Sequence, residues 1–147
     1  MTPLSTTPYT TLVLATRNRG KIDEIRGLLT GYPVTVRSLD DFGPIPTVVE
    51  DGETFDDNAY KKAGQVSRML GLPALADDSG LTVTALGGGP GVHSARYAGV
   101  GASDRQRCRK LLDEMTDKTD RRAAFECVIS LAVPTGAALT YEARCEG

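Results

Sequence analysis

Tryptophan is absent, histidine occurs once, cysteine occurs three times, and aromatic residues make up only 5% of the 147 residues. The cysteines, Cys108, Cys127 and Cys145, lie far apart with no C-x-x-C pair. That excludes a zinc knuckle and argues against a disulfide framework, leaving buried or half-buried free thiols in a reducing cytoplasm as the expectation. The single histidine, His93, has no Ser, Cys or His at suggestive spacing, so a catalytic triad is not legible. No apolar run approaches the ~18 residues of a membrane helix. The opening "MTPLSTTPYTT" lacks both the basic and the apolar stretch of a signal peptide and reads as a flexible leader, residues 1–11. Neither charge sign dominates: 17 Lys and Arg face 19 Asp and Glu, a formal net charge of −2. The long basic stripe of a DNA or RNA binder is therefore missing, so no nucleic-acid polymer is expected as a partner, and no membrane. A small anionic ligand needs only a few local cations and stays open.

What is present fits one soluble domain: 40% hydrophobic and 24% charged residues, in a chain long enough for a single core. Leu12–Ala15 is a short branched apolar run, read as a buried strand. In "KIDEIRGLL", Ile22, Ile25, Leu28 and Leu29 share a helical face, ended by Gly31 and Pro33. "PVTVRSL" reads as a second strand. Thr54 and Asp57 form a T-x-x-D start for a helix carrying Phe55, Ala59, Ala63, Val66 and Leu70, which Gly71 and Pro73 stop. "PALAD" and "GLTVTAL" read as two short strands around an acidic turn. The glycines and Pro90 of "GGGPGVHSARYAGVG" forbid regular structure there. Ser103 with Gln106 caps a third helix, with Cys108, Leu111, Leu112 and Met115 as its apolar face. "AAFECVISLAV" alternates, with Phe125, Cys127, Ile129, Leu131 and Val133 on one side, and turns at Pro134-Thr135-Gly136 into a hairpin partner. Interleaved strands and helices followed by a late antiparallel pair give an α/β domain with a mixed sheet.

Four stretches carry chemistry. "ATRNRGK" follows a strand and opens a helix. Unpaired helix N–H groups, the helix dipole and the charges of Arg17, Arg19 and Lys21 together suit a phosphate. It is not a Walker A loop, because the G-x-x-x-x-G-K-[ST] spacing fails. The same residues would also serve as a solvated basic turn with Asn18 as helix cap. "VVEDGETFDDNAYKKA" sets Glu50 and Asp51 before a helix on which Asn58 and Lys62 share a face; a plain acidic capping region is the alternative. In "LADDSGLTV", Asp77 and Asp78 end an apolar strand, where a carboxylate suits a hard cation such as Mg²⁺, or merely an Asx-turn. Arg96, on the glycine-rich loop, suits a phosphate or an ordinary ion pair.

Together "ATRNRGK", "ETFDDNAYKKA", "ALADDSGLTVTALGGGPGVHSARYAG" and, more loosely, "RRAAFECVIS" resemble the inosine triphosphate pyrophosphatase family. The resemblance implies an α/β fold with a mixed, elongated central sheet flanked by helices, and usually a homodimer. It also implies Mg²⁺-dependent hydrolysis of non-standard purine nucleoside triphosphates (ITP, dITP, XTP) to the monophosphate and pyrophosphate. It assigns Thr16, Arg17, Asn18, Arg19, Gly20 and Lys21 to the first phosphate loop. Lys62, Ser79 and Arg96 become further substrate contacts, Asp78 the proton acceptor and metal ligand, and Asp77 its support. The second metal ligand is Glu50, with Asp51 the alternative. The F-G-Y-D-P-like and S-H-R-like segments expected to recognise the base do not occur in the sequence. The resemblance therefore implies that residues 12–147 form the pyrophosphatase domain without its C-terminal part. A catalytically impaired nucleotide-binding module of the same fold is the alternative, and the base preference is unread.

Overall fold

The computed structural model describes residues 11–147, so the leader assigned to residues 1–11 lies outside the described residues except for Thr11. Strand β1 (Thr11–Leu14) leads through helix α1 (Arg19–Leu28) to β2 (Thr35–Ser38). Helix α2 (Phe55–Leu70) returns the chain to β3 (Ala74–Val83). Helix α3 (Asp104–Glu114) precedes the hairpin β4 (Ala123–Ala132) and β5 (Ala138–Glu146). The sheet is mixed and runs β2-β1-β3-β4-β5, parallel across its first three strands and antiparallel across the rest. This is the α/β class read from the sequence.

The order dictates where a ligand can sit. From β1 the chain crosses to one side for β2, then crosses back over β1 for β3. Right-handed crossovers in opposite directions place α1 and α2 on opposite faces of the sheet. The order reverses between β1 and β3, and the crevice beyond the carboxyl end of the strands at such a switch point is where open α/β sheets bind ligands. β1 pairs with β3 only through Val13↔Ala74 and Leu14↔Leu75. The stretch Thr16–Lys21 and the residues Asp77 and Asp78 therefore all emerge at that crevice.

The α2 face holds the core, where Val13, Ala15, Ala63, Val66, Ala74, Ala76 and Ala132 pack together. Alanines on both helix and strands let α2 approach closely, and the Thr54 side chain accepts the Asp57 N–H at 3.0 Å to start it. Three points differ from or go beyond the sequence reading. The two short strands around an acidic turn are one ten-residue strand, paired with β4 from Ala74↔Ala132 to Val83↔Ala123, because that ladder satisfies the backbone through Asp-Asp-Ser-Gly. On β4 the buried side is Ala124, Val128, Ser130 and Ala132, whereas Phe125 is 66% exposed. The bulky alternation thus faces away from α2, onto a sheet face that also carries exposed Leu139 and Tyr141. Third, Cys108 and Cys145 are exposed, and only Cys127 is half-buried.

Smaller differences follow the same logic. In α1 only Ile22 is buried and Leu28 is exposed; in α3 Leu112 is exposed while Met115 is buried. A short 3-10 segment, Thr84–Leu86, ends the stretch "GLTVTAL" read as strand, and a second, Gly91–Arg96, lies within the glycine-rich loop. No helix among the described residues is long and apolar enough to cross a membrane.

Candidate functional site

Strand geometry decides what the adjacent carboxylates face. Successive residues of a strand point to opposite sides of the sheet, so Asp77 and Asp78 diverge. Asp77 turns to the α1 face, where Lys21 Nζ meets its Oδ2 at 2.5 Å. Asp78 turns to the α2 face, where Asn58 Nδ2 donates to its Oδ2 at 3.0 Å. Asp77 thus does not touch the groups that Asp78 touches, and the support expected from it is replaced by an ion pair with the first turn of α1.

Burial pushes the Asp78 carboxyl above its ordinary 3.8. The Asn58 hydrogen bond and the charge of Lys62 pull it back, while the charge of Glu50 adds to the rise. Glu50 and Lys62 form their own ion pair at 2.9 Å. They line a cleft of about 180 Å³ together with Thr16 and Arg17 from the β1–α1 connection. Arg17 also donates to the Ile45 carbonyl at 2.7 Å, tying that connection to the loop ahead of Glu50. Asp51 points elsewhere: it is exposed, paired with Lys61, and held below the ordinary carboxylate range chiefly by that hydrogen bond. Of the two candidates for the second metal-side carboxylate, Glu50 is the one that lines the cleft.

The other residues that the motifs nominate separate by location. Asn18 caps α1, its side chain accepting the Lys21 N–H at 3.2 Å, and Thr16 Oγ1 accepts the Asn18 N–H at 3.2 Å. Gly20 is exposed beside the cap. Arg19 lines a different groove with Asp23, Arg26 and Asp40. Ser79 lies on the Asp77 face, with Lys21, at the edge of an apolar groove that includes Phe125 and Ile129. Arg96 is exposed and has no ion-pair partner among the described residues. The structure thus brings together Thr16, Arg17, Glu50 and Lys62 in one cleft and sets Asp78 within reach of the Glu50 and Lys62 charges. It puts Lys21 and Ser79 across the sheet and leaves Arg19 and Arg96 apart.

Two connections were invisible to spacing and motif. Asn58 was legible only as a helix-face neighbour of Lys62, yet it is the residue that joins Asp78 to the Glu50 loop, its Oδ1 accepting the Gly52 N–H at 2.8 Å. Ser94 accepts the Leu81 N–H at 3.0 Å and donates to the Gly91 carbonyl at 2.6 Å, seating the glycine-rich loop on β3.

Comparison with known proteins decides the family to which this arrangement belongs: residues 12–147 match the Ham1 family. The chain belongs to the Ham1 family. A dITP/XTP pyrophosphatase of Syntrophobacter fumaroxidans is 65% identical over 92% of this chain and 59% of its own length. One from Desulfotalea psychrophila is 57% identical over 92% and 61%. The chain therefore spans about three-fifths of the length of these two curated Ham1 relatives. A HAM1 protein from Coxiella burnetii has the same fold, with a TM-score of 0.88 at 41% identity, covering 93% of this chain and 71% of that one.

A divalent metal fits the Ham1 cleft in a particular way. Among the described residues no three His, Cys, Asp or Glu side chains are placed to hold a metal by themselves. Two hard oxygen donors remain, Glu50 lining the cleft and Asp78 within reach of its charge. Mg²⁺ commonly binds through one or two carboxylates, several waters and substrate phosphates, so the donor set suits an ion that arrives with a phosphate ligand.

Proposed function

We propose that this chain is the phosphate-binding and catalytic part of a Mg²⁺-dependent nucleoside triphosphate pyrophosphatase. It acts on inosine- and xanthosine-type triphosphates, including the deoxy form, and clears them from the nucleotide pool. The observation that carries this reading is the cleft beyond the end of β1, lined by Thr16, Arg17, Glu50 and Lys62, with Asp78 close enough to feel the charges of Lys62 and Glu50. The names of the relatives supply the substrate class.

The residues divide the work. Thr16, Arg17 and the capped start of α1, with Asn18, Gly20 and Lys21, receive the phosphates, and Lys62 balances their charge from α2. Asp78 accepts the proton of the attacking water, whose oxygen bonds to the α-phosphorus as the α–β phosphoanhydride bond breaks and pyrophosphate leaves. Asp78 and Glu50 would hold Mg²⁺, which supplies charge neutralisation on the phosphate oxygens when bound. Lys21 and Ser79 lie across the sheet from Asp78, so they reach a ligand that wraps the end of the strands. Arg19 and Arg96 stay in the proposal as outer contacts. The resemblance adds a homodimer and a cytoplasmic location.

The test is incubation of this chain with ITP, dITP, XTP and ATP in Mg²⁺, with pyrophosphate and orthophosphate measured separately. Pyrophosphate release favouring ITP, dITP and XTP is expected; orthophosphate release would overturn the reaction. Tight calorimetric binding of ITP without any product would replace the enzyme with a nucleotide-binding module.

A further inference from the structure

We propose that Asn58 is a positioning residue, a single buried amide that sets the separation between the Glu50 loop and Asp78. The inference deepens the proposed pyrophosphatase reading and rests on it. Asn58 is 1% exposed, and each end of its amide is used. The Gly52 N–H can only donate, so it must meet the carbonyl end, and the 2.8 Å contact is to Oδ1. The amide orientation is thereby fixed, and the NH₂ end faces Asp78 Oδ2 at 3.0 Å. Gly52 fits against this side chain without a gap. A Cβ at position 52 would lie 2.7 Å from Asn58 Oδ1 and 2.6 Å from Asp57 Cβ.

The base of the clamp is rigid. Asn58 lies in the first turn of α2, its own N–H bonded to Thr54 O at 3.2 Å, and Lys62 follows one turn later on the same face. Loop, helix and strand each hold one charged group within reach of the others: Glu50, Lys62 and Asp78. One amide joins all three elements. Asparagine is a poor helix former and costly to bury, and two hydrogen bonds offset that cost here. A hydrophobic residue of similar size would fill the space and hold neither wall.

Three variants separate positioning from packing. Asn58→Asp keeps the acceptor for Gly52 and sets a carboxylate against Asp78. Asn58→Ala removes both bonds. Ser67→Ala is the control, because Ser67 is equally buried on the same helix and its hydroxyl donates only to the Leu72 carbonyl, at 2.7 Å. Both Asn58 variants are expected to lose at least ~10-fold in kcat for ITP with KM within about threefold, as displaced catalytic groups do. Ser67→Ala is expected to lower the melting temperature with kcat within about twofold. Amide exchange at Gly52 reads the clamp without any turnover: slow in the parent and in Asn58→Asp, fast in Asn58→Ala. Gly52 exchanging equally in all three overturns the proposal, as do Asn58 variants that melt lower but keep full kcat. A parent chain releasing no pyrophosphate overturns the pyrophosphatase reading instead, and exchange at Gly52 then decides the clamp. If Asn58→Asp does not fold, Asn58→Ala carries both measurements.

Discussion

Asp78 sits half-buried in the middle of β3, where burial works against its charge, and this gives a signed prediction at the scale of one residue. Its folded pKa is raised above the ordinary 3.8, first by burial. A carboxyl with a raised folded pKa favours folding fully below its unfolded value, and that contribution is lost as pH rises through the folded one. At neutral pH the ionised side chain therefore costs stability. Asp78→Asn removes that cost and also removes the proposed proton acceptor. Calorimetry at pH 7 is expected to show a melting temperature equal to or above that of the parent, with the difference closing as pH falls toward the ordinary carboxylate value. Pyrophosphate release should drop at least ~10²-fold, the usual weight of a general base. A lower melting temperature at pH 7 would show that the Asn58 and Lys62 contacts outweigh burial.

At the scale of the element, the glycine-rich loop is held in two places. At Gly80 a Cβ would lie 2.4 Å from the Gly91 carbonyl oxygen and 2.5 Å from Ser94 Oγ. Gly80→Ala must push the Gly91–Arg96 segment off β3. We expect a loss of ~1–3 kcal/mol by chemical denaturation, the usual size of overpacking. The other end is tied to α3: the Tyr97 hydroxyl donates to Glu114, Lys110 donates to the Tyr97 carbonyl at 2.6 Å, and its Nζ lies 4.4 Å from the ring centroid. Burial first, then Glu114, push the Tyr97 hydroxyl up to about 12 from 10.0. The sign is that of a raised group: the tether is complete below pH 10.0 and is lost as pH rises through about 12. Ultraviolet titration of tyrosinate should show one late tyrosine, and Glu114→Gln should move it back toward its neighbours.

Elements were legible to the degree that their signals are local. Thr54 and Ser103 with Gln106 were readable as helix starts because a cap bonds within one turn, and both cap bonds are present. The β3 interior was misread because Asp-Ser-Gly has turn chemistry, and only the partner strand, some fifty residues later, holds it extended. Which face of β4 is buried was not legible, because greasy bulk usually marks the inside. Here close contact with α2 demands Ala124, Val128 and Ser130, and sends Phe125 outward. At the site, Glu50, Lys62 and Asp78 were nameable one by one. Their meeting through Asn58 was not, because nothing local in an asparagine shows which two distant groups it will bond.

For the whole molecule, the electrostatics predict an order of binding. The cleft offers the Glu50 carboxylate, already paired with Lys62, and Asp78 lies within reach of both charges. Mg²⁺ alone gains little from such a site, and a triphosphate alone brings its anionic oxygens up to both carboxylates. Only the two together balance charge. Thermal melting is expected to shift by less than about a degree with millimolar Mg²⁺ alone, and by several degrees with Mg²⁺ and an α,β-non-hydrolysable ITP analogue. An equal shift from Mg²⁺ alone would mean that the protein builds a complete metal site without the nucleotide.

The divergence of Asp77 and Asp78 makes the facing of the carboxylates on β3 a matter of odd and even. Deleting or inserting one residue between Leu75 and Asp77 would exchange the carboxylates, handing Lys21 the one meant for Asn58, while composition and hydropathy barely change. A two-residue change would restore the facing and only lengthen the reach. Single-residue indels here should therefore abolish function where double ones weaken it, a rhythm that a saturation indel scan along this strand would display.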